Sequence, residues 1–357
     1  MFASLPAGPI DVVGDVHGEL DALRALLGHL GYDTAGRHPG GRTLVFAGDL
    51  CDRGPDSPGV IDLVQGMVEG GRALAILGNH ELNLLRGDRK DGNDWFWSEG
   101  FPRDARYEPR AHIDPARRVG VLAFLRTLPL VLERPDVRVI HAAWHPPAIA
   151  TLRAEPADAD VLESFRRWDT AADDEIAARG LAQRAAAERA AFRAQWRDAA
   201  QRPPMLAAVA LADELGQMGN PIRVATSGVE RVAPEPYFAG GTWRFVERVR
   251  WWDDYDEATP VIVGHYWRQF VTPERKAAGR GDSNLFDQLH ASEWHGARAN
   301  VFCVDFSVGG RWRERVLGTS PLMPATRLGA MRWPERTLVL DSGESLATTP
   351  ELVPDLD

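Results

Sequence analysis

The sequence predicts an α/β fold built on a largely parallel sheet, and two observations carry that prediction. From Ile10 to about Ala150, short apolar runs alternate with segments of helical periodicity. This βαβαβ order builds parallel sheets with right-handed crossovers. Five apolar runs are each followed at once by a block rich in Gly, Asp, His or Asn: Gly14-Asp15-Val16-His17-Gly18, Gly48-Asp49-Leu50-Cys51-Asp52-Arg53-Gly54, Gly78-Asn79-His80-Glu81, Val139-Ile140-His141 and Gly264-His265. Polar ligands at the carboxyl ends of several strands are how an open α/β sheet assembles a site.

The strands expected before these blocks are Ile10 to Val13, Thr43 to Ala47, Ala73 to Leu77, Val137 to Ile140 and Pro260 to Val263. Between the first two, Leu20, Leu23, Leu26, Leu27 and Leu30 recur at helical spacing, so Glu19 to Leu30 reads as an amphipathic helix stopped by Gly31. After the second block, Ser57 and Pro58 suit a helix cap and first helical position, and Val60, Ile61, Val64 and Met67 supply the buried face. Gly87 to Pro115 is polar and carries Trp95, Phe96, Trp97 and Phe101, the pattern of a long functional loop.

From Ala154 to Ala212 the composition turns to Ala, Arg and Glu, which predicts two or three helices interrupted near Arg202-Pro203-Pro204. The expected organisation is one domain over 1–357, with residues 154–218 a helical insertion forming a cap, a side lobe or a solvated decoration. Strands return at Thr242 to Arg250, Asn300 to Val308, Arg311 to Leu317 and Thr337 to Leu340, with a hairpin expected around Gly309-Gly310. The acidic segment 342–357 reads as a loosely held tail.

Composition narrows the class. A hydrophobic share of 44% and a charged share of 26% are those of a globular protein. A formal net charge of −10 argues against a nucleic-acid partner, because phosphate backbones need clustered cations. Lys90 and Lys276 are the only lysines among 41 basic residues, which lowers the weight any one arginine carries. Cys51 and Cys303 suggest neither a disulfide framework nor a zinc knuckle. With no signal-peptide pattern and no membrane-length apolar run, the expectation is a cytoplasmic protein with no membrane partner. The oligomeric state stays open.

The blocks dictate a chemistry. Asp15 and His17, two apart on a Gly-flanked turn, put a carboxylate and an imidazole within reach of one ion. Asp49 can share a carboxylate between two ions roughly 3.5–4 Å apart, as two-metal hydrolases require. Asn79, His141 and His265 complete a second ion. Oxygen and imidazole donors without thiolates suit hard or borderline divalent metals, Mn, Mg, Fe or Zn, and do not choose among them; the expectation is Mn, with Fe, Zn or Mg as alternatives. Cys51 reads as a small packing residue beneath the ions or as a redox sensor.

The blocks Gly14–Gly18, Gly48–Gly54 and Gly78–Glu81 match, in order and without substitution, Gly-Asp-x-His-Gly, Gly-Asp-x-x-Asp-Arg-Gly and Gly-Asn-His-Glu. In these motifs the chain resembles the calcineurin-like metallophosphoesterases, and more narrowly their phosphoprotein phosphatase branch, which includes diadenosine tetraphosphatase-like proteins. The resemblance implies a four-layer α-β-β-α sandwich of two mixed sheets. It implies that Asp15, His17 and Asp49 bind one metal, and Asp49, Asn79, His141 and His265 the other. It further implies that a hydroxide between the ions attacks phosphorus, that His80 is the general acid, that Asp52 orients His80, and that Arg53 binds the substrate phosphate. The sequence Gly264-His265-Tyr266-Trp267 lacks the second histidine of the Gly-His-x-His found in broader relatives, which favours the phosphatase branch. A second phosphate-binding arginine has four candidates, Arg223, Arg248, Arg250 and Arg268, and Trp251-Trp252-Asp253 is expected to line the cleft.

The leading expectation is therefore a phosphatase acting on phosphomonoesters, phosphoserine or phosphothreonine proteins among them. Hydrolysis of dinucleoside polyphosphates is the alternative: Val304 to Gly310 is similar to the terminal motif of bacterial relatives with that activity, and the aromatic loop could stack a base. A non-catalytic scaffold is the third reading.

Overall fold

The computed structural model describes residues 1–97, 99–270, 284–287, 289–318 and 325–348. It divides into two compact units, one of Met1–Ala142, Trp252–Val271 and Leu289–Asp357, the other of Ala143–Trp251 and Thr272–Gln288.

The first unit holds two mixed sheets, as expected. Strands β1 (Phe2–Ser4), β2 (Ile10–Val13), β3 (Thr43–Phe46), β4 (Ala73–Ala75), β5 (Val131–Arg134) and β6 (Val137–Ile140) precede the second unit in the chain. There β7 (Glu230–Ala239) and β8 (Thr242–Arg248) form a separate antiparallel pair. Strands β9 (Val261–Val263), β10 (Val301–Cys303), β11 (Gly329–Trp333), β12 (Thr337–Leu340) and β13 (Ser345–Ala347) complete the first unit. The six-stranded sheet has the order β13-β12-β11-β2-β3-β4, with β2, β3 and β4 parallel and the rest antiparallel. The five-stranded sheet has the order β1-β5-β6-β9-β10, antiparallel only between β5 and β6.

A single apolar cluster joins Ile10, Val12 and Val45 of one sheet to Leu132, Val139, Ile262 and Phe302 of the other, so the core lies between the sheets. Strand β2 is buried along its whole length because both its faces are covered. Ile10 and Val12 face that core. On the opposite face, Asp11 accepts hydrogen bonds from Tyr32 and Arg42. Helices α1 (Leu20–Leu30) and α2 (Ser57–Glu69) pack against β12 and β4 respectively. α1 buries Leu20, Leu23, Leu26, Leu27 and Leu30, the periodic set, and ends at Gly31 in the left-handed region. Helices α3 (Asn79–Arg86) and α4 (Arg118–Thr127) follow and pack on each other.

In the second unit, α5 (Pro146–Arg153), α6 (Val161–Ala178), α7 (Leu181–Ala191), α8 (Ala207–Met218) and α9 (Pro221–Ser227) precede the β7–β8 pair. Leu181, Val209, Trp243 and Phe245 belong to its own apolar core. No described helix is long and apolar enough to cross a membrane.

Three local expectations are corrected. The cap of α2 is Asp56, whose carboxylate accepts from Gly59 N at 2.8 Å; Ser57 Oγ instead accepts from Asp52 N at 2.9 Å. Arg311–Leu317 is a helix, α10, not the second arm of a hairpin. Seven residues are too few for periodicity to separate the two, and Gly309 serves close approach rather than a turn, since a Cβ there would lie 2.3 Å from His17 Cδ2. Of the segment 342–357, Ser345–Ala347 pair with β12, and residues 349–357 lie outside the described residues.

Candidate metal centre

All the sequence-derived ligands come from the ends of strands in the first unit. Asp15 and His17 follow β2, Asp49 follows β3, Asn79 and His80 open α3 after β4, His141 follows β6 and His265 follows β9. The turns that present them are strained. Of nine described non-glycine residues with positive φ, seven are His17, Asp49, Asp52, Arg53, His265, Trp267 and Ser307, so strain is concentrated here rather than spread over surface turns.

Asp49 is the hub. Its Oδ1 accepts from His80 N at 3.0 Å, which turns Oδ2 toward three imidazoles: His141 Nε2 at 3.4 Å, His17 Nε2 at 3.8 Å and His80 Nε2 at 3.9 Å. The buried Glu81 carboxylate holds this turn by accepting from Asp49 N and Leu50 N at 2.8 Å each, from Gly78 N at 3.0 Å and from Cys51 Sγ at 3.4 Å. A Cβ on Gly78 would lie 2.2 Å from Asp49 Oδ1, so the close approach of the two turns requires glycine. Gly264 makes the same allowance for Asp15, whose Oδ1 would lie 2.1 Å from a Cβ. Both Asp15 oxygens accept from His265 N, at 3.1 and 3.0 Å, tying the first block to the last.

The imidazole tautomers are fixed from behind. His17 Nδ1 donates to Cys51 O at 3.0 Å and His141 Nδ1 donates to Ala47 O at 2.7 Å. A carbonyl can only accept, so each Nδ1 carries the proton and each Nε2 is aimed at the carboxylates, the orientation typical of metal-ligating histidine. His141 Nε2 also lies 3.3 Å from Asn79 Oδ1. Donor atoms of Asp49, His141 and His265 lie within 4.8 Å of one another, as do those of His17, Asp49 and His80. Ligands of one ion bound at about 2.0–2.2 Å stand at most about 4.4 Å apart, close to these separations. With oxygen and imidazole donors, preset tautomers and glycine-lined turns, the residues present fit divalent cations.

The electrostatics agree. Burial, reinforced by Asp305, pushes the Asp15 carboxyl well above its ordinary range. Burial would also raise Asp49, but the His141, His80 and His17 imidazoles overcome it and hold that carboxyl well below the usual range. Burial, with Arg53 and His80 adding to it, keeps His17 well below its usual value, hence neutral. Burial opposes charge on His141 too, yet the Asp49 and Asp15 carboxylates lift it to about 10. His141 without metal is therefore protonated at neutral pH, and a cation at Nε2 must displace that proton. Metal affinity is accordingly expected to rise with pH, by up to about tenfold per unit for one released proton. Calorimetric Mn titrations at several pH values, in buffers of different ionisation enthalpy, measure this; a pH-independent affinity without proton release would contradict it.

Beside the hub, His80 Nδ1 donates to Asp52 Oδ2 at 2.5 Å, and Trp95 Nε1 donates to Asp52 Oδ1 at 2.7 Å. Arg53 Nη1 donates to His17 Nε2 at 3.0 Å, and its guanidinium lies 4.8 Å from the centroid of the Trp267 ring. Trp267 stands two residues after His265, and its backbone N–H donates to Asp305 Oδ2 at 2.7 Å. None of these contacts of Glu81, Trp95, Trp267 and Asp305 is expected from sequence, where Trp95 belongs to a base-stacking loop, Trp267 marks a missing histidine, and Glu81 and Asp305 are letters of motifs. Glu81 could have been found as a buried acid inside a motif. The other three act across 38 residues or more, and no local signal marks them.

Other expectations resolve differently. Arg268 is buried and donates to the backbone oxygens of Cys303, His290 and Glu293, with its guanidinium over Phe302 and Phe306, so it braces backbone. Arg223 pairs with Asp169 within the second unit. Trp251 and Trp252 are buried, and Trp252 packs edge-on against Tyr266 at 5.2 Å. Burial and the neighbouring Asp52 and Glu81 charges push the Cys51 thiol well up, so it stays protonated and packs, which argues against redox sensing.

A model of the calcineurin-like phosphoesterase family matches residues 8–179. The chain is 48% identical over 79 residues to the asymmetrical bis(5'-nucleosyl)-tetraphosphatase PrpE of Halalkalibacterium halodurans, a match covering 21% of this chain and 32% of that protein. It is 35% identical over 137 residues to the symmetrical bis(5'-nucleosyl)-tetraphosphatase of Aeromonas hydrophila, covering 38% of this chain and 44% of that one. The match thus spans about a third to under half the length of these curated relatives. The crystal structure of a cold-active protein-tyrosine phosphatase from a psychrophilic Shewanella aligns over 98% of this chain and 82% of its own, at 16% identity and a TM-score of 0.45. The three motif blocks lie intact inside the region, residues 8–179, that matches the calcineurin-like phosphoesterase family model.

Proposed function

We propose that the protein is a dinuclear-metal-dependent phosphoric ester hydrolase, with phosphomonoesters, including phosphoserine and phosphothreonine, as its leading substrate class. One observation carries the proposal: Asp49 Oδ2 faces three imidazole Nε2 atoms at 3.4–3.9 Å. Asp15, His17 and Asp49 hold one ion; Asp49, Asn79, His141 and His265 hold the other. When bound, the ions supply Lewis acidity and an activated water for attack at phosphorus.

The chain's own residues do the rest. Arg53, shelved on Trp267, presents a planar fork of donors that pairs with two phosphate oxygens and orients the ester. His80 Nε2 is the proton donor to the leaving-group oxygen, with its ring oriented by the bond from Nδ1 to Asp52. His80 also follows Asn79 directly, so the acid and a metal ligand share one helix start. Mn is the expected metal.

A second reading is hydrolysis of dinucleoside polyphosphates, favoured by the identity to bis(5'-nucleosyl)-tetraphosphatases. The same residues serve it, with a nucleotide as leaving group. The aromatic loop does not favour it. Trp95 and Phe96 are buried, and Trp97 and Phe101 flank the Arg89 guanidinium at 5.6 and 5.4 Å. With Mn, the protein is expected to turn over p-nitrophenyl phosphate and a phosphothreonine peptide. A kcat/KM for diadenosine tetraphosphate more than about tenfold above that of the peptide, roughly 1.4 kcal/mol of barrier, would make the second reading the primary one. Turnover of none of the three with Mn, Fe, Zn or Mg would overturn both.

A further inference from the structure

We infer that Trp95 is a positioning residue for the general acid, acting through Asp52; the inference rests on the proposed role of His80. Asp52 is fully buried, and both its carboxylate oxygens are engaged: Oδ2 by His80 Nδ1 at 2.5 Å and Oδ1 by the Trp95 indole N–H at 2.7 Å. The chain thus forms a row, Trp95 to Asp52 to His80, whose far end faces Asp49. A carboxylate held at one oxygen can turn about its Cβ–Cγ bond; held at both, its plane is fixed, and with it the imidazole that Oδ2 binds.

The loop that carries Trp95 is organised to deliver it. Trp95 is buried, its carbonyl accepts from Ile113 N at 3.0 Å, and its ring packs edge-on against Phe96. Asp104 Oδ2 gathers Gly92 N at 2.9 Å and Asp94 N at 3.3 Å, and Arg110, its side chain buried, pairs with Asp94. Gly92 O then accepts from Arg53 N at 3.0 Å. The same loop therefore grips Asp52 by a side chain and Arg53 by its backbone, at two successive residues in the left-handed region, Asp52 with φ 77° and Arg53 with φ 68°. Such residues keep their conformation only where surrounding contacts impose it. A Trp serving packing alone would need no partner for its N–H beyond backbone or water; here the partner is the residue that orients the acid.

The test uses the full-length Mn-loaded enzyme and two esters, p-nitrophenyl phosphate with an activated leaving group and glycerol phosphate with an alkoxide leaving group. Trp95→Phe is expected to lower kcat on glycerol phosphate by about tenfold more than on p-nitrophenyl phosphate, since general-acid catalysis matters most for the poorer leaving group. KM and the Mn stoichiometry should stay at wild-type values. In an Asp52→Ala background, Trp95→Phe should add less than about a twofold loss, the signature of residues acting as one unit. If the Phe variant does not fold, benzothienylalanine at position 95 keeps the ring shape, removes only the N–H donor and carries the same expectations. Equal losses on both esters, or the same loss with and without Asp52, would overturn the inference while leaving the proposed function intact. A wild-type enzyme inactive on both esters with every metal would overturn the proposed function and this inference with it.

Discussion

Asp49→Asn is expected to lower kcat by about a thousandfold or more, roughly 4 kcal/mol of barrier at 1.36 kcal/mol per factor of ten. Asp49 is the one carboxylate that faces both ligand groups, with Oδ2 at 3.4 Å from His141 and 3.8 Å from His17. The amide keeps the size of the side chain and can still accept from His80 N, so the turn that Glu81 holds should fold. What is lost is the negative charge that two cations would share and that draws a proton onto His141. The measured metal content should therefore drop from two ions per chain to one or none, together with the rate. A variant that binds two ions and turns over at the wild-type rate would contradict the assignment of Asp49 as the shared ligand.

His80→Asn is expected to cost about 10²- to 10⁴-fold in kcat on alkyl phosphates, the range of a positioned general acid, and much less on p-nitrophenyl phosphate. Metal content separates this role from its rival. His80 Nε2 lies within reach of His17 and Asp49 and is placed well enough to ligate. Its Nδ1, however, binds the buried Asp52 carboxylate, itself fixed by Trp95. An acid acting on the leaving group leaves the metal stoichiometry untouched when removed; a ligand does not. Two ions retained with a rate loss that depends on the leaving group supports the acid, and one ion lost with a uniform rate loss would make His80 a ligand.

Much of this arrangement was legible in the chain. Asp15, His17, Asp49, Asn79, His80, His141 and His265 follow or adjoin apolar runs, and the strand ends do bring donor atoms of Asp49, His141 and His265 together. Short parallel strands buried on both faces leave an unmistakable apolar signal, and a ligand just past such a strand has one place to go. The periodic leucines of α1 were equally plain. What the chain did not reveal are the contacts made across sequence. Glu81 reads as one letter of a motif, yet its function is to accept from Asp49 N and Leu50 N some thirty residues earlier. Trp95 reads as one aromatic among four in a polar loop, and only folding brings its N–H to Asp52. Arg268 reads like any other arginine in a chain crowded with them, and its burial among backbone carbonyls and Phe rings depends on a register set by distant strands. Arg311–Leu317 is too short and too mixed in polarity to declare itself helix or strand.

The proposal that two cations share Asp49 joins the tautomers, the hub geometry and the chemistry, and one titration addresses it. Metal-free protein titrated with Mn in a calorimeter, with p-nitrophenyl phosphate hydrolysis followed on the same samples, should bind two ions per chain, release protons at neutral pH, and gain activity as the second site fills. Binding of no more than one ion, or two ions without any hydrolysis, would contradict it.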